Sequence, residues 1–239
     1  MNTVMVLDAL RRHAVFNVGT LASLLGKERA YAKVYLHRLK ERGLVFELQR
    51  NAFTLHEDPF LVASRIIWPS YISLWSALRH HDLTEQVPHV ISVITTRRKS
   101  RKAIAFGNSK IVFVSVRPEH FFGFEKERIA EIEVFIADPE KALIDCVLLK
   151  RVSVSEVFEM MHENVQRLDT EKIVRYIRRA RSKALAKRFG WMLERLGHDS
   201  HAELKYLTHR TRIPLDYALP AKGERDRKWG VIENMGGRA

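Results

Sequence analysis

Acidic and basic side chains crowd one short stretch, Asp138-Pro139-Glu140-Lys141 with Asp145 close behind. Carboxylates this near one another can hold a divalent cation, the chemistry of a metal-dependent nuclease. The spacing favours a structural use. Asp before Pro and Glu is a helix start, with the aspartate as cap. Glu140 suits the positive end of that helix. Asp145 lies four residues after Lys141, one helical turn away, where an ion pair forms. A nuclease site needs acids converging from separate strands, and the sequence offers no such set. His80-His81-Asp82 points no better to a metal. Adjacent histidines on a helix project roughly 100° apart, and the 11 histidines include no i, i+4 pair and no cysteine partner. Cys146, the single cysteine, sits in the apolar run 142–149 and reads as a small buried hydrophobe rather than a nucleophile. Neither a Gly-rich phosphate loop nor a Ser/His/Asp order stands out. The expectation is a protein without enzymatic activity, with no catalytic residue, no metal and no cofactor.

The basic residues suggest other chemistry. Arg29 and Lys33 fall on a helix read over Glu28 to Arg42, in which Ala32, Tyr35, Leu36 and Leu39 make one buried stripe. Arg29, Ala30, Lys33, Val34 and His37 then face outward. A shorter helix over Val18 to Leu25, capped by Asn17, precedes it across a break at Gly26-Lys27. Gly43 follows it, where helices end in a left-handed residue. Next come two strands around Gln49-Arg50-Asn51. Helix, tight turn, helix and hairpin is the order of a winged helix-turn-helix, whose second helix enters a DNA major groove. Lys27, Arg29, Ala30, Lys33, Val34, His37 and Arg50 are the expected DNA-binding residues, Arg50 from the wing.

A second group of cations lies further on. Arg175, Arg178 and Arg179 are three and four apart and share one helix face, opposite Ile173, Val174, Tyr176 and Ile177. Arg181, Lys183, Lys187 and Arg188 continue the run. The loop Arg97 to Lys102 is also basic. Arg97, Arg98, Lys99, Arg101, Arg175, Arg178, Arg179 and Lys183 are candidate phosphate contacts. An ordinary solvated face remains the alternative for both groups, and a surface offered to RNA or a protein partner is another for the loop. The whole chain has 41 Lys+Arg against 28 Asp+Glu, a net +13, and residues 151–239 hold +7 of it. Such an excess favours a polyanionic partner.

The elements that position these residues give an α+β fold. Residues 1–58 form the winged helix-turn-helix, beginning with a helix over Thr3 to His13. Residues 59–239 follow as a mixed domain. Its sheet-rich part, 70–150, has a helix over Tyr71 to His81 and strands at 90–96, 103–106, 110–116, 121–124 and 131–136, in a mainly antiparallel sheet. Its helical part, 151–212, opens with a capping box of Ser153 and Glu156; Asp169 and Ser182 cap later helices, and Ser200 with Glu203 opens one more. The tail, 213–239, is read as irregular, docked by Leu215, Tyr217 and Trp229. No signal-peptide pattern or spanning apolar run is present, so the expected location is cytoplasmic.

Several segments together resemble a known family. Tyr71-Ile72-Ser73, Ser76-Ala77-Leu78, Leu83-Thr84-Glu85-Gln86-Val87-Pro88, Phe122-Gly123-Phe124 and Ala137 to Asp145 are similar to the AbiEi antitoxins. So are Lys183 to Gly190 and a Pro-Gly-Trp tail, which extends the resemblance over nearly the whole chain. It implies the antitoxin and transcriptional autorepressor of a type IV toxin–antitoxin pair in abortive infection, a phage defence. Family members bind inverted repeats in their own promoter through an N-terminal winged helix. Their C-terminal domain opposes a nucleotidyltransferase-like toxin, and the pair need not form a stable complex.

The resulting expectation is a non-membrane protein that binds double-stranded DNA at an inverted-repeat operator, as a monomer or as a weak homodimer pairing on DNA. Its toxin is a functional rather than a stable physical partner. Two rivals remain: an enzyme acting on nucleic acid, such as a metal-dependent nuclease, and an antitoxin acting by direct toxin binding.

Overall fold

Side-chain caps set where the first helices begin. The computed structural model describes residues 2–98, 102–208 and 211–235. Within it Asn2 caps α1 (Thr3–Arg11) and Asn17 caps α2 (Val18–Leu25), each side-chain oxygen accepting a first-turn backbone N–H. These bonds satisfy donors that a helix start leaves without partners. Gly26 then takes a left-handed φ of +61°, a conformation glycine adopts without steric cost, and the chain turns into α3 (Arg29–Glu41). After Gly43, β1 (Phe46–Gln49) and β2 (Ala52–Thr54) pair antiparallel. Phe16, in the loop between α1 and α2, exchanges two 2.8 Å backbone hydrogen bonds with Phe53, which fixes the hairpin to the helices. Val6, Leu10, Phe16, Leu21, Leu36 and Leu39 belong to the core of this segment.

The first unit consists of Met1–Ile72, Pro88–Val116 and Phe124–Ile136. After α4 (Pro59–Ala63) it contributes β3 (Ser70–Ser73), β4 (Val90–Thr95), β5 (Ala103–Phe106), β6 (Ser109–Ser115), β7 (Phe124–Ile129) and β8 (Ile132–Ala137). They form one sheet in the order β5-β6-β4-β3-β8-β7.

The sheet contains both kinds of pairing: β5 and β6 form an antiparallel hairpin, whereas β4 pairs parallel with β6 and β3 parallel with β8. Neither parallel pair is consecutive in sequence, since a tight turn cannot join parallel strands. Two expectations need correction here. The helix expected from Tyr71 begins only at α5 (Trp75–His80), since 70–73 is a strand. All four of its residues are buried, so the apolar–polar alternation that marks a strand is missing. Finally, the strand expected over 121–124 runs instead from Phe124 to Ile129. Glu125, Lys126, Glu127 and Arg128 make it a charged edge, a device that discourages pairing with other chains and hides the strand from a hydrophobic reading.

The second unit, Ser73–Val87, Arg117–Gly123 and Ala137–Ala239, contains α5 and is otherwise mostly helical. Its further helices are α6 (Pro139–Leu148), α7 (Val154–Glu163), α8 (Thr170–Ala180), α9 (Lys183–Arg195) and α10 (His201–Leu204). Asp138, Asp169 and Ser182 cap α6, α8 and α9, and the Ser153–Glu156 box opens α7 with both of its bonds made. Ser200 precedes α10 without a side-chain cap.

The tail is a correction too. Over the described residues it is ordered into β9 (Ile213–Pro214), β10 (Glu224–Asp226) and β11 (Val231–Glu233), with β11 between the other two. Leu215 and Trp229 are fully buried. Trp229 lies on Gly190 of α9, where a Cβ would fall 2.0 Å from the ring. The strands are two and three residues long, too short to show a period. Among the described residues no helix is long and apolar enough to cross a membrane.

Candidate nucleic-acid interface

The outward face of α3 is built by what the helix buries. Ala32, Leu36 and Leu39 point into the core, and Tyr35 is half-buried with its hydroxyl donating to Thr3 Oγ1 at 3.1 Å. At 100° per residue this leaves Arg29, Ala30, Lys33, Val34 and His37 on the opposite side, and all five are exposed. Lys27, in the turn before α3, and Arg50, at the hairpin tip, are exposed as well. The tip is held in place: Asn51, at φ +59°, accepts the Val18 backbone N–H through its side chain at 3.2 Å. An ion pair between Lys40 and Glu47 ties the end of α3 to β1. A rigid scaffold therefore presents two arginines, two lysines and one histidine, the donors that phosphates and base edges accept from.

Two flanking residues escaped the sequence reading. Tyr31 is 50% exposed and packs its ring on Tyr35 at 6.4 Å between centroids. Arg38 is exposed one turn beyond Val34. Their helical angle from Arg29, roughly 200° and 180° from the helix repeat, was the available signal, since both lie at the edge of the buried stripe.

No family model matches the chain, and no curated protein matches it either.

The other candidate cations divide. Arg97 and Arg98 are exposed just after β4; Lys99 and Arg101 lie outside the described residues. Arg175, Arg178 and Arg179 are exposed along α8 and, with Arg181, line one open depression of about 820 Å³. Lys183 is exposed at the start of α9 but is not part of that lining. Lys187 and Arg188 leave the basic run altogether, at 1% and 5% exposure. Lys187 donates to the Thr211 carbonyl. Arg188 donates to the carbonyls of Leu215 at 2.8 Å and Pro214 at 3.2 Å. These bonds tie the tail to α9. Burial depresses both pKa values, with the charge of Lys183 adding to the effect at Lys187.

The acidic cluster is occupied by structural contacts. Asp138 accepts the Lys141 backbone N–H at 2.8 Å and the Tyr176 hydroxyl at 2.6 Å. Lys172 bridges Asp138 at 3.2 Å and Glu140 at 3.0 Å. Burial raises the Asp138 carboxyl above its usual range, with the Tyr176, Lys141 and Lys172 contacts working against it. Burial alone would lower Lys172; its two carboxylate partners outweigh that and hold it above its usual value. Lys141 and Asp145 form the i, i+4 ion pair the spacing predicts, and both are fully buried. Ser73 donates to the other Asp145 oxygen at 2.8 Å. Helix capping and ion pairing account for these acids, in line with the structural use read from their spacing.

Proposed function

We propose that the chain is a DNA-binding autorepressor and antitoxin whose first 58 residues act as a winged helix-turn-helix. The single observation that carries the DNA-binding half is that Arg29, Ala30, Lys33, Val34 and His37 are all exposed along α3. The Phe16–Phe53 bridge and the Asn51 contact add support, because they hold a hairpin beside that helix. In this reading α3 enters the major groove of an inverted-repeat operator, and Arg50 reaches a phosphate or an adjacent minor groove. Two copies occupy the repeat, as monomers loading together or as a weak homodimer. The antitoxin half rests on the sequence motifs shared with the AbiEi family: the chain opposes a nucleotidyltransferase-like toxin of a type IV pair, in the cytoplasm, without a lasting complex. The role requires no reaction, metal or cofactor.

Arg29→Ala with Lys33→Ala tests the DNA-binding half. One good bidentate base contact is worth about 1–3 kcal/mol, so a gel shift on the promoter repeat should show at least roughly fivefold weaker binding, with the thermal melt unchanged. Equal affinity at matched salt would exclude α3 as the reading helix. Co-expression with the adjacent toxin tests the other half: growth is rescued and the two proteins elute apart in size-exclusion chromatography. Co-elution would favour neutralisation by direct contact.

A further inference from the structure

The depression on α8 has more than charge. Tyr206, in the short helical turn after α10, lines it beside Arg175, Arg178, Arg179 and Arg181, and is 62% exposed. Two of the arginines are partly engaged. Arg175 is 3.3 Å from Asp169 and 4.0 Å from Glu171, and Arg178 is 3.9 Å from Glu203, the outer limit of an ion pair. Arg179 and Arg181 have no carboxylate within pairing distance among the described residues. Arg179 lies instead over the Phe122 ring, 4.3 Å from its centroid. Glu119 also lines the depression, where its own charge is met by Arg117 at 3.5 Å. The lining therefore keeps two guanidiniums without a carboxylate partner, Arg179 and Arg181, beside an exposed tyrosine.

We propose that this depression binds an unpaired nucleotide of a single-stranded nucleic acid, with phosphates on the arginines and a base stacked on Tyr206. The size suits this ligand: about 820 Å³ lies within the range of sites that take small ligands. A duplex keeps its base faces inside its own stack and can use only the arginines, whereas an unpaired base offers a face to a tyrosine. Guanidiniums match phosphate oxygens in planar, paired hydrogen bonds. The site contains none of the α3 residues, so it stands apart from operator recognition and can hold while that reading fails.

The test uses the full chain carrying Arg29→Ala and Lys33→Ala, which weakens the α3 contact. Fluorescence anisotropy compares a labelled eight-nucleotide adenylate RNA, an abasic strand with the same number of phosphates, and a duplex of equal length. The base-bearing single strand should bind best. Tyr206→Ala should weaken it roughly 5- to 100-fold, the range of one stacked base, and leave the abasic strand unchanged; Tyr206→Phe should restore binding. Because Tyr206 is mostly exposed, its truncation removes little packing, and a thermal melt checks this. Arg181 sits at φ +49°, a conformation glycine tolerates, so Arg181→Gly removes the charge without straining the helix end. It should lower the slope of log affinity against log salt by roughly 0.7. Equal affinity for the abasic and base-bearing strands, a Tyr206→Ala chain that binds unchanged, or no binding of the RNA by the starting chain would each overturn the proposal. Tighter binding of the duplex would assign the face to duplex phosphates.

Discussion

Gly190→Ala adds a single methyl group to a helix, a change that normally favours helix formation by about 1 kcal/mol. Here the added carbon would lie 2.0, 2.3 and 2.5 Å from three atoms of the Trp229 ring. Ordinary contact between carbons is about 3.5–4.0 Å, so the indole must retreat by roughly 1.5 Å. It has little freedom to do so. Its ring N–H donates to Glu194, and the Trp229 backbone N–H is held by Asp226 at 2.7 Å. Forced overpacking costs about 1–3 kcal/mol, and disturbing a hydrogen bond to a charged acceptor costs about 1.5–3 kcal/mol more. After the helix gain the net loss is about 2–5 kcal/mol. For a chain of this size each kcal/mol moves the melting temperature by about 2–4 °C, giving a fall of about 4–20 °C. Thermal unfolding followed by tryptophan fluorescence reads it. Adding Trp229→Leu to Gly190→Ala should make the alanine nearly neutral, measured against Trp229→Leu alone. A Gly190→Ala chain that melts at the parent temperature or above would refute the account of the tail as packed on α9.

Two further outcomes follow from the same unit. Burial acts to raise the Asp216 carboxyl, but hydrogen bonds from Ala218, Ser155 and Val154 outweigh it and hold its pKa below the usual value. A carboxyl lowered on folding stabilises above its unfolded pKa, near 3.8, and loses that contribution as pH falls through the folded value. Stability should therefore fall below about pH 4, and Asp216→Asn should flatten that part of a urea-midpoint profile; an unaltered acid limb would refute it. Arg188→Lys keeps the charge but not the fork that reaches two carbonyls, so it should destabilise by about 1–3 kcal/mol in urea. An unchanged midpoint would show that the carbonyls of Pro214 and Leu215 need no such partner.

Much of this was legible where the local signal and the packing agree. Asn17, Asp138, Ser153, Asp169 and Ser182 each mark a helix start, because capping is a local hydrogen bond that sequence neighbours decide. The exposed face of α3 was legible for a related reason: three buried positions fix the direction of all the others. The order of the sheet was not. Which strand lies beside β4 depends on residues far along the chain, and buried Ser70 to Ser73 lack the alternation that would have marked them. Lys187 and Arg188 misled because a charged residue reads as solvated. Only the fold shows that backbone carbonyls of the tail receive them. Tyr206 gave no signal at all, since the arginines it lies beside are about thirty positions earlier.

The first unit is assembled from three separate lengths of chain, ending at Ile136, and the second begins before the first is complete. A ribosome must therefore release well over half of the polypeptide before the six-stranded sheet has all its members. A premature stop anywhere short of that point yields neither unit whole. The amount of protein with both units complete would therefore follow the number of full translations rather than the number of starts.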